Sequence, residues 1–450
     1  MNRVIEFEYG GFFEVQDKEP LKRYLEIIWA QYTSQDKDYE WSENEEDKRT
    51  YQGFLTFDDS NARAKNFVGF IQTKDSHIEI YPKVFREQDK NEPENRKLFL
   101  RHIFYWFEYC RKWKFPFTNV TLDLLKDIDF PELIINLMAS KILEVVSASP
   151  ISLYQELEES LMTPRGRINF NRYIAKGFAN GNHHILECDY QPLLFDNTLN
   201  RVIKYASRIL QRKAKFNETQ YKLSEIVFIL DEVEDIVCTV KDLDSIKLNT
   251  FFTDYEPVIN ICRMVLEQQI YNNEHFEQPQ WCLLFPMEYI FEDFVCGFLE
   301  THFSKEWIVE YQKSEMYLVG KPYNAFQMRH DILLTLKKDK SKKIIVDTKY
   351  KVRSFSFKDD PKKNVSQQDM YQMTSYAFRR GCENILLLYP NCSESLLSSD
   401  SFTVESGFND TTQINITVAE IPFWSLGNFS KKSIDDGLKN IFHHLLKSII

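Results

Sequence analysis

The hydrophobic pattern changes period repeatedly after Pro286, and that succession restricts the fold more than any other stretch. Met287, Ile290, Phe291, Phe294, Val295, Phe298 and Leu299 recur at helical spacing and form one apolar stripe behind Pro286. Two short apolar runs follow, Met328–Leu334 and Ile344–Tyr350, joined by the lysine-rich turn Lys337–Lys343. Asp369–Ala377 then reads as a second helix, and Asn384–Pro390 as a buried strand. Helix, strands, helix, strand is the order of a layered domain, and an α/β class (α+β overall) is expected.

Chemistry-bearing residues sit at the ends of these elements. Residues two apart on a strand share a face, so Asp347 and Lys349 point the same way. In a hairpin of this length Asp331, at the start of the first strand, lies beside Asp347 on the second. Two converging carboxylates repel unless a cation sits between them, and an all-oxygen site of that kind suits Mg²⁺. Glu288 and Glu292 lie one turn apart at the edge of the first helix's stripe; the plain alternative for Glu292 is a surface glutamate favoured by the helix dipole. Gln372 and Tyr376 share a face of the second helix at i and i+4, offering an amide and a phenol, with ordinary helix packing as the alternative for Tyr376. Acid-x-lysine alone is a weak signal, since Glu46-Asp47-Lys48 and Asp360-Pro361-Lys362 also fit it. Those two lie in polar runs, whereas Asp347 ends an apolar strand, where an acid and a lysine cost free energy without partners.

The net charge of −11 argues at first against nucleic acid. Its distribution says otherwise: residues 321–380 hold 15 Lys and Arg against 6 Asp and Glu, a local balance of +9 inside an acidic chain. Local charge drives counterion release, so such a segment suits a phosphate-binding surface, the alternative being a solvated lysine-rich loop. The eight cysteines are scattered with no CxxC pair, several in apolar runs, and read as reduced core residues. No signal peptide or membrane-length apolar run is present in the sequence, so a cytoplasmic location and no membrane partner are expected.

At 450 residues two or three domains are expected. The pattern suggests a β-rich region over 1–95, a mainly helical region with a short strand pair over 96–275, and the α/β domain over 276–450. Within the first, Asn66–Ile71 and His77–Tyr81 read as a hairpin, and the charged segments near 35–50 and 86–97 as exposed loops. Helices are expected over about Arg96–Trp113, Pro131–Val146, Thr198–Lys213, Thr219–Val237 and Val258–Tyr271. A strand pair is expected around Tyr154–Phe170, turning at Thr163-Pro164-Arg165-Gly166, with a further strand near His184–Asp189.

Glu292, Asp331, Asp347-Thr348-Lys349 and Gln372-x-x-x-Tyr376, in that order and in those elements, resemble the PD-(D/E)XK nucleases; the glutamine and tyrosine match the RecB-like branch. More narrowly, the chain resembles the McrC family, nuclease subunits of McrBC-type (5-methylcytosine-specific) restriction systems. The matching strings are Phe285–Glu292, Val346–Tyr350 and Asp369–Met373, and upstream Ile78–Val84, Arg165–Ile168 and Asp196–Arg201. One departure stands out: His330 occupies the place where the family usually has proline.

The resemblance implies a restriction-endonuclease-like domain with a mixed central sheet flanked by helices. It implies Mg²⁺ (or Mn²⁺) on Asp331, Asp347 and the Thr348 carbonyl, with Glu292 joining directly or through water. Lys349 would position the attacking water, Gln372 would serve the site, and Tyr376, Lys342, Lys343, Lys351, Arg379 and Arg380 would hold double-stranded DNA. The chain contains no GxxxxGK[ST] phosphate loop. The resemblance therefore implies a separate McrB-like AAA+ GTPase hexamer as motor, docked by the N-terminal region. Two rivals remain: a non-catalytic nuclease-fold activator of an AAA+ partner, and a RecB-like repair exonuclease.

Overall fold

The computed structural model describes residues 2–15, 18–35, 52–73, 76–111, 130–154, 156–246, 248, 250–270, 281–312, 316–353, 360–391, 393, 399–405, 413–426 and 430–449. The chain divides into two compact units, Met1–Phe130 with Phe276–Ile450, and Pro131–His275. The regions 1–95 and 276–450, read from sequence as separate, thus lie in one unit, and residues 96–130 join them there. The cause is the apolar run Trp281–Pro286, which is a strand of the N-terminal sheet. That sheet has the order Asn2–Phe7, Ser76–Tyr81, Phe67–Gln72, Trp281–Pro286, its first pair parallel and the others antiparallel. Gly69 has φ +141°, and a Cβ there would strike the carbonyl of Leu283, so glycine lets these strands close up. The hairpin expected at 66–81 is present, closed by the Thr73 N–H donating to the Ser76 carbonyl at 2.8 Å.

Trp281–Pro286 runs without a break into the helix Met287–Phe303, with Pro286 as its N-cap residue. The apolar stripe of that helix is buried as its periodicity predicts, with Phe291, Phe294 and Phe298 in an aromatic cluster with Tyr105, Tyr109, Phe423 and Phe442. Each fully buried phenylalanine contributes about 1.5–3 kcal/mol. The helix Pro93–Tyr109 crosses here, and a Cβ on Gly297 would fall on the Tyr109 carbonyl. This helix starts with Pro93 in its first turn, earlier than expected, and part of the segment read as a loop is therefore helical. It stops at Tyr109, short of the expected Trp113, because Cys110 turns extended and Asp293 Oδ2 takes the Arg111 N–H at 2.7 Å.

The second sheet has six strands in the order Trp307–Tyr311, Ile332–Leu336, Lys343–Thr348, Asn384–Pro390, Gln413–Ile421, Asp400–Glu405. The two central pairs are parallel and the flanking ones antiparallel, so it is a mixed sheet of an α/β protein, as expected. The helix Gln367–Arg380 covers one face, packing Met373, Tyr376 and Ala377 on Leu333, Ile345, Ile385 and Leu387. The C-terminal helix Lys431–Ile449 is fixed by Asp435, whose Oδ1 accepts from the hydroxyls of Tyr105 and Tyr109, each at 2.8 Å.

The unit Pro131–His275 is mainly helical, and Thr198–Lys213 forms as its periodicity predicts. Asn197 caps that helix by accepting from the Asn200 N–H at 3.1 Å, Asn197 and Asn200 both donate to the Ile151 carbonyl, and Asp196 pairs with Arg201 at 2.7 Å. The string Asp196–Arg201 is therefore a helix cap. The next helix is Asn217–Ile229 and does not reach Val237, because Leu230 departs from helical geometry. The strand pair expected around residues 154–170 is corrected: Leu157–Leu161 and Arg167–Ile168 are not neighbours, since Leu186–Tyr190 lies between them. The seven cysteines among the described residues are free and buried. No described helix is long and apolar enough to cross a membrane.

Candidate active site

The antiparallel register Ile332↔Val346 carries Asp331 to a place beside Asp347, as the hairpin argument requires. Asp331 Oδ2 accepts from both the N–H and the hydroxyl of Thr348, each at 2.7 Å. Asp347 is buried at the end of its strand, and its Oδ2 stands 2.6 Å from Lys349 Nζ. Glu292 reaches the same place from the second turn of its helix, itself anchored by the N-terminal sheet. Burial, then the charge of Asp331, pushes the carboxyl of Asp347 up to about 7 and that of Glu292 up to about 8. Burial alone would lower Lys349, but Asp347 and Asp331 outweigh it and hold its ammonium well above the usual lysine range. The cluster thus keeps its cation protonated and resists full ionisation of its acids.

Gln372 lies over Lys349, its Oε1 accepting from Nζ at 3.4 Å and its Nε2 donating to the Tyr376 hydroxyl at 2.9 Å. Tyr376 in turn donates to the Arg329 carbonyl at 2.8 Å and packs in the core beneath the helix. Its ring and hydroxyl thus both have partners within the chain. Lys351 pairs with Asp369 at 3.0 Å, and Arg379 Nε donates to the Tyr317 carbonyl at 2.8 Å. Lys342 and Lys343 are exposed at the hairpin turn, Arg380 is half-buried, and His330 is buried beside Asp331.

Two residues that the sequence did not single out complete the cluster. Gln312 donates from Nε2 to Glu292 Oε1 at 2.8 Å and from its backbone N–H to the Asp331 carbonyl at 2.8 Å. It adopts φ +43°, a left-handed conformation uncommon for a non-glycine residue. Arg329 donates to Gln312 Oε1, so Glu292, Gln312, Arg329, Tyr376, Gln372 and Lys349 form a continuous chain of hydrogen bonds. A polar glutamine one step past an apolar strand carries no periodic signal, and only the fold reveals its role.

The donor set is three carboxylates carrying more negative charge than one ammonium balances, which in chemistry fits a hard divalent cation. Among the described residues no three His, Cys, Asp or Glu side chains converge at ligand spacing. Asp331 is turned to Thr348, and Asp347 to Lys349.

A mixed sheet with an acid–lysine strand end and a neighbouring buried glutamate defines a class of α/β protein with a candidate hydrolytic centre. The profile of the McrBC 5-methylcytosine restriction system component family matches residues 62–390, and the chain belongs to that family. The fold is also that of a chain in the refined half-complex from the tetradecameric assembly of Thermococcus gammatolerans McrB AAA+ hexamers with bound McrC. The TM-score is 0.67 and the identity 16%, covering 98% of this chain and 100% of that one. A chain of the cryo-EM Thermococcus gammatolerans McrBC complex matches 66% of this chain and 87% of its own length at 17% identity and TM-score 0.49. No curated protein sequence matches. Family and fold agree with the McrC resemblance of the motifs.

Proposed function

We propose that the chain is the endonuclease subunit of a modification-dependent restriction system, with a PD-(D/E)XK site that cuts double-stranded DNA with Mg²⁺. The observation that carries this reading is the hairpin register that sets Asp331 beside Asp347 and Lys349, with the buried Glu292 near enough to feel the charge of both aspartates. Asp331, Asp347 and the Thr348 carbonyl would hold the metal, with Glu292 joining directly or through water. Bound there, Mg²⁺ supplies an acidified water and neutralises charge on the phosphate. Lys349, held by Gln372, orients the attacking water and stabilises the negative charge that develops on the phosphoryl oxygens in the transition state. Gln312 fixes the Glu292 carboxylate by hydrogen bonding. Lys342, Lys343, Lys351, Arg379 and Arg380 contribute to the basic segment that would hold the duplex.

Family membership and the fold likeness support a partner as well. The similar structure is of McrB AAA+ hexamers with bound McrC, and by that likeness the motor here is a separate AAA+ GTPase ring whose hydrolysis this chain stimulates. The test is cleavage of methylated and unmethylated DNA circles by wild type and Asp347→Ala, with and without the AAA+ protein and Mg²⁺. Cutting that requires metal, nucleotide, partner and Asp347 is expected. Stimulated hydrolysis with no cutting in any condition would instead make the chain a non-catalytic activator. Cutting confined to linear ends would make it an exonuclease.

A further inference from the structure

A separate two-stranded hairpin, Met316–Val319 with Ala325–Met328, lies in sequence between two neighbouring strands of the six-stranded sheet, Trp307–Tyr311 and Ile332–Leu336. Its second strand leads directly through Arg329-His330 into Asp331, and its first follows Tyr311-Gln312 in sequence. The ring of Tyr323, in the turn, is 82% exposed and that of Phe326 is 72% exposed. Phe326 also holds φ +57°, a left-handed conformation that is a genuine outlier for a bulky side chain, here with the ring in solvent. Packing within the chain therefore does not account for either ring. Residues 316–330 contain no Asp or Glu, although the chain is acidic, and they carry Lys321 and Arg329. Arg379 fixes the hairpin through the Tyr317 carbonyl, and its guanidinium lies near Gly320. The neighbouring Arg380 buries Nε and Nη2 with no hydrogen-bond partner among the described residues.

We infer that this hairpin is a DNA-reading ribbon that enters the groove beside the scissile phosphate, with Tyr323 and Phe326 wedging into base steps there and partly unstacking them. The inference rests on the nuclease reading and names how that site engages its substrate. A two-stranded ribbon fits a major groove about 12 Å wide. Five residue steps separate Phe326 from Asp331, a reach of about 17 Å at most, so a ring in the groove and a phosphate at Asp331 can belong to one duplex. A ring inserted at a base step meets base faces without needing a particular sequence, and the basic, acid-free ribbon tolerates the phosphates on either side.

The test measures binding of a fluorescein-labelled duplex to the full-length chain, alone and with its AAA+ partner, in Ca²⁺ to suppress cutting. A second duplex carries 2-aminopurine at successive positions near the cut. The double variant Tyr323→Ala/Phe326→Ala alters exposed rings and leaves the melting temperature unchanged. It is expected to bind about tenfold more weakly and to lose the 2-aminopurine brightening seen with wild type, with the salt dependence intact. Lys321→Ala is expected to lower the slope of log affinity against log salt by about one. Wild-type binding that the double variant leaves unchanged would overturn the ribbon while sparing the nuclease reading. Variants that bind DNA normally but no longer join the AAA+ ring would show the hairpin to be a protein-docking element and overturn it equally. A wild-type chain that binds no duplex, with or without the partner, would sink both readings together.

Discussion

Asp347→Asn should flatten the pH dependence of stability, and the size of the effect follows from the cluster around Lys349. In the fold, burial and then Asp331 raise the Asp347 carboxyl from 3.8 to about 7. Its raised value makes the folded state favour the protonated acid. That contribution is full below about pH 4 and is lost as pH rises through about 7. A rise of that size corresponds to about 4 kcal/mol, an upper figure because Glu292 shares the same repulsion from Asp331. For a unit of this size the loss lowers the melting temperature by roughly 5–7 °C. Asparagine keeps the shape and removes the charge, leaving Lys349 facing Asp331. The assay is thermal unfolding of wild type and Asp347→Asn in EDTA at pH 5 and pH 8.5. Wild type should lose several degrees more than the variant across that interval. Mg²⁺ at pH 8.5 should restore wild type and leave Asp347→Asn nearly unmoved. Parallel pH profiles for the two proteins would refute the claim that these carboxylates are crowded.

Two further outcomes follow from contacts at and behind the site. Gln312→Ala frees Glu292 Oε1 of its amide donor. The Mg²⁺ concentration for half-maximal cutting should rise about 10- to 100-fold, with Mn²⁺ binding weakened to match in calorimetry and duplex affinity unchanged. Gly297→Ala puts a methyl on the Tyr109 carbonyl where two helices cross. It should cost about 3 kcal/mol, read as a lower melting temperature, and an unchanged transition would show that the helices separate freely.

The elements of the site were legible because each has its own period. The apolar stripe behind Pro286, the strand ending in Asp347 and the helix bearing Gln372 form where their patterns place them. What escaped depends on contacts distant in sequence. Trp281–Pro286 is buried at every position and so carries no alternation; its place in the N-terminal sheet rests on Gly69 and on pairing with residues more than 200 positions earlier. Leu157–Leu161 is mostly exposed, and the pair expected from its turn gave way to a strand arriving from residue 186. Tyr376 stands at a helical spacing that permits either a DNA contact or packing, and only the fold shows its hydroxyl bonded to the Arg329 carbonyl.

The same kind of distant contact explains why motifs far apart in the chain occur together. Tyr350 follows Lys349 directly and donates its hydroxyl to Glu8 Oε1 at 2.5 Å. That oxygen also accepts the Lys83 N–H at 3.0 Å, and the Lys83 ammonium sits 4.2 Å from the Tyr350 ring centre. Burial pushes the Glu8 carboxyl up, and the Lys83 charge and the Tyr350 hydroxyl oppose that shift. Ile78–Val84 and Val346–Tyr350 are separate strings in sequence but two sides of one buried polar knot. Loss of any member leaves a charge or hydroxyl without its partner in the interior. The backbone that carries Lys349 is therefore held by the N-terminal sheet, just as Glu292 is held by the strand Trp281–Pro286. Both arms of the site depend on the first hundred residues, and the candidate active site is a property of the whole unit.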